Sequence, residues 1–284
     1  MDKILIVGLG VVGGSFALAL QEAGYREVYG VDEDEVSLAK ALTMGMIKGG
    51  STDPSDLLGE ADLCILAIYP QTIPDFITRY KDHFKKGALV TDVAGVKAPL
   101  AKALEALGPL GFDVILGHPM AGREKRGIDY ASAAVFHGAN YLLTPIQGNL
   151  EENLQKVENL VLNLGFKRVR RLSPQDHDSI IGYTSQLPHA LAVALMNCDD
   201  PQSSTAEYIG DSYRDLTRIA NINGPLWAEL FLENKGPLLE RMTAFETAFK
   251  GLKEAVASED REGLMKAFAQ SSQRRERLEK IDHP

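Results

Sequence analysis

The chain has 284 residues, of which 45% are hydrophobic and 24% charged. That length exceeds the roughly 150-residue expectation for one domain, so two domains with sizeable cores are predicted, and the composition excludes a disordered or fibrous chain. A formal charge of -9 argues against a general nucleic-acid or anionic-membrane surface, because phosphate binding is driven by clustered Lys and Arg. An anionic ligand would have to be met by a local basic cluster.

The two cysteines, Cys64 and Cys198, are too few and too separated for a disulfide framework or a metal site, which points to a reducing, cytoplasmic setting. The apolar N-terminal run imitates a signal peptide, but Asp2 and Lys3 precede it, glycines interrupt it and no small-residue cleavage pattern follows. A strand followed by a glycine turn accounts for the same letters. No later segment supplies ~18 uninterrupted apolar residues, so no membrane span is expected.

In chain order, short β-branched runs alternate with helical patterns: ILIV, EVYGVD, DLCILAI, ALVTDV, DVILGH and YLLTP are separated by stretches such as SFALALQEAG and VSLAKALTMG. Parallel strands need long crossovers, so this alternation predicts an α/β region in which a parallel sheet is covered by helices on both faces. KRVRRLS, Lys167 to Ser173, is the last strand candidate. From there the patterns are helical. Ser173 can cap a helix, Pro174 fits its first turn and Asp176 places negative charge at its positive end. That helix is expected to run toward Met196 with a bend at Pro188. CDDPQSS ends it, and three further helical stretches follow: TAEYIGDSYRDLTRIA, Pro225 to about Ala257, and DREGLMKAFAQSSQRRERLEK. Domains are therefore placed at residues 1–172 and 173–284, the second all-helical, with apolar faces suited to a partner copy.

GLGVVG has the G-x-G-x-x-G spacing between a strand and a helix. Gly8 permits the tight turn, Gly10 lets backbone approach a pyrophosphate, and Gly13 lets helix and strand pack closely. The pyrophosphate would rest on the positive helix end. A glycine turn with a purely structural role is the rival reading. The second strand ends at Asp32, where a carboxylate can accept both hydroxyls of an adenosine ribose and repel a 2′-phosphate, favouring NAD over NADP. An acidic helix start would explain Asp32 and its neighbours Glu33, Asp34 and Glu35 equally well.

A nicotinamide enzyme needs a base for the proton that leaves with the hydride, and charges that hold the substrate. Of six histidines, His118 follows the strand DVIL, and strand carboxyl ends are where ligands bind in such sheets. His189 lies mid-helix in QLPHAL. His83, His137 and His283 read as surface residues, and His177, in a first helical turn, reads as solvated too.

GLGVVGGS, TDVAGVK (Thr91 to Lys97), GHPMAGREKRG (Gly117 to Gly127), YTSQLPH (Tyr183 to His189) and YRDLTRIA (Tyr213 to Ala220) resemble, in order and approximate spacing, the motifs of prephenate and arogenate dehydrogenases of tyrosine biosynthesis. The resemblance covers nearly the whole chain. It implies an N-terminal Rossmann-type dinucleotide-binding domain, a C-terminal helical domain that dimerises, and NAD-dependent oxidative decarboxylation of prephenate to 4-hydroxyphenylpyruvate. On its terms His118 accepts the proton of the ring 4-hydroxyl, Arg218 binds the ring carboxylate, His189 lies near the pyruvyl side chain, and Glu124 and Asp215 orient the arginine. Arg123, with Lys125 and Arg126, adds a basic patch suited to a dianionic substrate. REKR would also serve as a solvated turn, Arg218 could pair with Asp215 alone, and His189 could be a core residue.

Two positions depart from the family pattern. Gly95 stands where many members have a serine that helps hold the ring hydroxyl, and Arg123 stands where many have Ser or Thr. The alternatives are an arogenate dehydrogenase, another dehydrogenase of the same two-domain superfamily, or a non-catalytic dinucleotide sensor. A fused chorismate mutase or regulatory ACT domain is not expected. An unperturbed imidazole titrates near ~6.5, so activity is expected to fall below about that pH.

Overall fold

The computed structural model describes residues 2–122, 125–200, 202 and 204–282, the side chains of the last three excepted. Eight strands form one sheet: β1 (Ile4–Val7), β2 (Val28–Val31), β3 (Gly49–Ser51), β4 (Leu63–Leu66), β5 (Leu89–Asp92), β6 (Asp113–Pro119), β7 (Asn140–Thr144) and β8 (Arg168–Arg171). Their order across the sheet is β3-β2-β1-β4-β5-β6-β7-β8. Helices α1 (Val11–Glu22), α2 (Glu35–Thr43), α3 (Ser55–Leu58), α4 (Thr72–Tyr80), α5 (Ala98–Ala106) and α6 (Glu151–Asn163) lie between them. The chain reverses direction across the sheet between β1 and β4, the switch point at which such folds open a ligand crevice.

Residue alternation along β1 explains the two-faced core. Ile4 and Ile6 join Phe16, Leu20, Phe136 and Phe166 on one side, while Leu5 and Val7 join Leu66, Ile73, Ile77 and Leu100 on the other. All four β1 side chains are buried, each worth about 1.5–3 kcal/mol relative to exposure. This two-sided burial is why the strand reads as an uninterrupted apolar run.

Two features depart from the sequence-based expectation, one in strand direction and one in an extra strand. β7 runs antiparallel to β6, with Gly117 opposite Leu143 and His118 opposite Leu142. Among the described residues the connection between them holds short 3-10 turns at Ile128–Tyr130 and Ala133–Phe136 and no crossover helix that would carry the chain back to the other end of the sheet. The other departure is β3, a short edge strand whose Gly-Gly-Ser sequence has no β-branched pattern.

After β8 every described element is helical: α7 (Pro174–Ile181), α8 (Leu187–Asn197), α9 (Asp211–Thr217), α10 (Gly224–Glu233), α11 (Lys235–Ala257) and α12 (Arg261–Asp282). Ser173 caps α7 through its hydroxyl, which accepts from the Asp176 amide at 3.1 Å. One π-helical turn, Gly182–Gln186, joins α7 to α8 just before Pro188. Pro188 has no N–H to give the preceding turn, and the widened turn absorbs that gap. The helix expected over 205–220 is divided into 3-10 turns at Thr205–Glu207 and Arg218–Ala220 around α9.

The helix expected from Pro225 to Ala257 is interrupted at Asn234. There the side-chain amide turns inward to donate to the Asp178 carbonyl at 2.8 Å and to Gln186 Oε1 at 2.7 Å. Compactness divides the chain after Lys235. The segment from Gly236 onward carries exposed Phe245, Phe249, Leu252 and Val256 on α11 and Met265 and Phe268 on α12. The α11 residues recur at helical spacing and form one apolar stripe.

Candidate active site

The glycine turn separates its three glycines by what surrounds them. Gly8 has φ +90°, and a Cβ there would lie 2.4 Å from the Ala67 carbonyl oxygen. At Gly13 a Cβ would lie 1.8 Å from the Gly8 carbonyl oxygen. Both are required by packing. Gly10 is different: it has ordinary φ −69° as the N-cap of α1, and a Cβ would meet nothing within 4 Å. Neither strain nor packing of the chain requires a glycine at this position. Open space beside backbone at a helix N-terminus is the cradle that a pyrophosphate fills, so the residues present fit a dinucleotide.

Asp32, at the end of β2, faces this turn. One carboxylate oxygen accepts from the Leu9 amide at 2.7 Å and the other from the Asp34 amide at 2.9 Å. The acidic helix start belongs to Asp34 instead, whose side chain accepts from Val36 and Ser37 at the N-terminus of α2. Asp32 is half-buried, and each of its oxygens keeps acceptor capacity for a hydroxyl.

His118 sits near the carboxyl end of β6, beside the end of β5, and a buried polar network holds it there. Asp92, the last residue of β5, accepts from the Gly117 amide at 3.0 Å, from the Ala94 amide at 2.8 Å and from the ammonium of Lys97. Both side chains of the Asp92–Lys97 pair are fully buried. His118 Nδ1 lies 2.9 Å from Nε2 of His177, whose Nδ1 lies 2.7 Å from Asp178 Oδ1. Asp178 also accepts from the backbone amides of Lys97 and Ala98, each at 2.8 Å, at the N-terminus of α5.

The expectation that His177 is solvated is wrong. Its relative exposure is 0%, because Pro174, His177, Asp178 and Ile181 together form the inward face of α7. Burial holds His118 well below the usual histidine range, and neighbouring His177 and Lys97 push the same way. His177 is lowered too, first by burial, with Asp178 opposing. His118 is therefore neutral at physiological pH, and its titration lies below the ~6.5 of a free imidazole.

Position 95 adjoins the outer nitrogen of His118. A Cβ on Gly95 would lie 3.8 Å from His118 Nε2 and 3.1 Å from Leu230 Cδ2. The place where the resemblance expects a serine thus does face the histidine, and Leu230 of α10 crowds it. One turn back on α10, Trp227 stacks on His189 with ring centroids 3.7 Å apart. His189 Nδ1 lies 2.8 Å from the Ser185 carbonyl oxygen, an acceptor only, so Nδ1 carries the proton. Gln186 donates to the Leu230 carbonyl at 2.8 Å and accepts from Asn234 at 2.7 Å, locking α10 to the π-helical turn.

Of the other expected site residues, Arg218 begins the 3-10 turn that packs against α8, the helix of His189, and is exposed. Asp215 is exposed on the last turn of α9. Arg123 and Glu124 lie outside the described residues. Lys125 is placed with its ammonium 4.6 Å from the Tyr130 ring centroid. Among the described residues no group of His, Cys, Asp and Glu forms a metal site, and no helix is long and apolar enough to cross a membrane.

A parallel-dominated sheet with an open glycine cradle at its switch point, and a neutral imidazole near a strand's carboxyl end, defines the class: a dinucleotide-dependent dehydrogenase with a helical C-terminal part. Known proteins narrow it. The family description "Prephenate dehydrogenase, nucleotide-binding domain" matches residues 16–170, and "Prephenate dehydrogenase, dimerization domain" matches residues 173–270. The chain belongs to the prephenate dehydrogenase family. The prephenate dehydrogenase of Bacillus subtilis is 28% identical over 98% of this chain and 76% of its own length. The cyclohexadienyl dehydrogenase of Zymomonas mobilis is 30% identical over 99% of this chain and 97% of its own. Among solved structures, prephenate dehydrogenase from A. aeolicus in complex with hydroxyphenyl propionate and NAD+ superposes with a TM-score of 0.88 at 32% identity, covering 98% of each chain.

Proposed function

We propose that this protein catalyses the NAD-dependent oxidative decarboxylation of prephenate, with His118 as the base. The observation that carries the reading is the placement of a neutral imidazole, near the carboxyl end of β6, with Nε2 directed toward the space beside Gly95. The glycine cradle and Asp32 would hold the dinucleotide, which supplies the hydride acceptor. His118 Nε2 takes the proton of the ring hydroxyl as the carbinol becomes a carbonyl. That carbonyl draws in the electron pair released when the ring carboxylate leaves as carbon dioxide, and aromatisation makes the step effectively irreversible.

Arg218 is assigned the ring carboxylate, a task suited to a planar and always-charged guanidinium. Asp215 and Glu124 are assigned its orientation, and Arg123 a share of the positive charge that a dianionic substrate needs. His189, held between Trp227 and the Ser185 carbonyl, is assigned the side-chain end of the substrate. Gly95 leaves His118 without a side-chain hydroxyl from that position, so the imidazole holds the carbinol oxygen either unaided or with another group in the serine's place. The helical segment from residue 173 is assigned dimerisation; the family's dimerization-domain match and the apolar stripe on α11 support this. A cytoplasmic homodimer is the setting proposed.

The test is to supply the protein with NAD and either prephenate or arogenate and to follow the absorbance of the reduced cofactor. Reduction with prephenate, or with both substrates, is expected. Reduction with arogenate alone would make it an arogenate dehydrogenase, and no reduction with either would leave a dinucleotide sensor.

A further inference from the structure

We propose that His177 and Asp178 are positioning residues that fix the tautomer of His118, so that its outer nitrogen always presents a lone pair to the substrate hydroxyl. The inference rests on the reading of His118 as base and supplies what that reading leaves open, namely why the correct ring nitrogen is the free one.

The hydrogen-bond chain runs outward from Asp178. Its Oδ1 accepts from the Lys97 amide at 2.8 Å and its Oδ2 from the Ala98 amide at 2.8 Å, so the carboxylate is fixed as an acceptor by groups that can only donate. His177 Nδ1, 2.7 Å from Oδ1, must then carry its proton, since two facing lone pairs at that distance repel. A neutral His177 with its proton on Nδ1 has a lone pair on Nε2. That lone pair faces His118 Nδ1 at 2.9 Å, which must therefore be the protonated nitrogen of His118. Nε2 of His118 is left with the lone pair, on the side where a Cβ of residue 95 would stand 3.8 Å away.

The opposite arrangement needs His177 as a cation, donating from both nitrogens. Burial and the Lys97 ammonium both oppose that charge in the resting protein. The groups facing the two rings are Asp178, Lys97 and Asp92, and Lys97 is already paired with Asp92. The same chain works during turnover. When Nε2 takes the substrate proton, His118 becomes a cation donating to the lone pair of His177. The positive charge is then shared toward Asp178, the nearest carboxylate in the chain.

The test combines nitrogen NMR with kinetics. In protein carrying 15N-histidine at neutral pH, His118 is expected to show a protonated Nδ1 and an unprotonated Nε2. His177→Gln and Asp178→Asn are expected to lower kcat by roughly 10²-fold or more, up to the whole contribution of a general base, with the NAD dissociation constant changed less than twofold. In Asp178→Asn the amide can donate to His177, so the proton of each ring is expected to move to its other nitrogen, leaving His118 Nε2 protonated. Asp178→Glu, which keeps an acceptor, is expected to recover part of kcat.

A resting His118 protonated at Nε2, or a folded His177→Gln enzyme with unchanged kcat, overturns the proposal. If loss of the α5 cap unfolds Asp178→Asn, the wild-type spectrum and His177→Gln still decide. His118→Asn separates the two ideas. If it lowers kcat while His177→Gln does not, only the relay fails. Unchanged kcat in His118→Asn removes the base itself.

Discussion

A one-methyl change at Gly10, set against the same change at Gly13, separates a cofactor cradle from a glycine turn that merely folds. At Gly10 the added Cβ enters empty space at an allowed φ of −69°. Alanine is a poorer N-cap than glycine by about 0.5–1 kcal/mol, and the less flexible unfolded chain returns about 0.4–1 kcal/mol. The two nearly cancel, so Gly10→Ala without ligand should melt within a degree or two of the parent. The same methyl stands where a pyrophosphate would approach the α1 amides. Losing one charge-assisted hydrogen bond costs about 1.5–3 kcal/mol, so the NAD dissociation constant should rise at least tenfold. At Gly13 the Cβ would stand 1.8 Å from a backbone oxygen, an overpacking cost of about 3 kcal/mol or more, or a fall in Tm of roughly 6 °C or more. Differential scanning fluorimetry without ligand and NAD titration by calorimetry read the two effects separately. An unchanged NAD affinity in Gly10→Ala would refute the cradle.

The acid limb of kcat/KM should lie below pH 6.5. The base works when neutral, a lowered folded-state pKa keeps it neutral to lower pH, and kcat/KM reports groups of the free enzyme; a limb at or above 6.5 contradicts the burial argument. Arg218→Gln should raise KM for prephenate on the order of tenfold with little change in NAD affinity, near the low end for a charged contact because the guanidinium is exposed. A normal KM would return Arg218 to a structural role.

The sheet was legible wherever burial on both faces left an unbroken apolar run, as at Ile4–Val7 and Leu63–Leu66, and the cap at Ser173 was legible because its chemistry is local. What escaped depended on contacts distant in sequence. The direction of β7 goes with a connection whose described residues hold no crossover helix and whose letters resemble any loop. The break at Asn234 exists because its amide finds Asp178 and Gln186, not because of helical propensity. His177 looked like a polar residue of a first turn, yet Pro174, His177, Asp178 and Ile181 have the spacing of one helical face. Because two of these four are polar, the inward stripe did not look apolar. Lys97 and Asp92 were visible as a motif, but not as a fully buried ion pair.

The π-helical turn at Gly182–Gln186 has a rotational consequence. Successive residues of a regular helix advance by about 100°, so two positions twelve apart, such as His177 and His189, would point about 120° away from each other. A π turn accommodates one surplus residue, which removes about one such step and leaves the two imidazoles within about 20° of a common azimuth. One ring can then meet His118 while the other meets Trp227. Rewinding the turn as regular α-helix at unchanged chain length would swing one ring about 120° away from the other without altering a single side chain in the pocket.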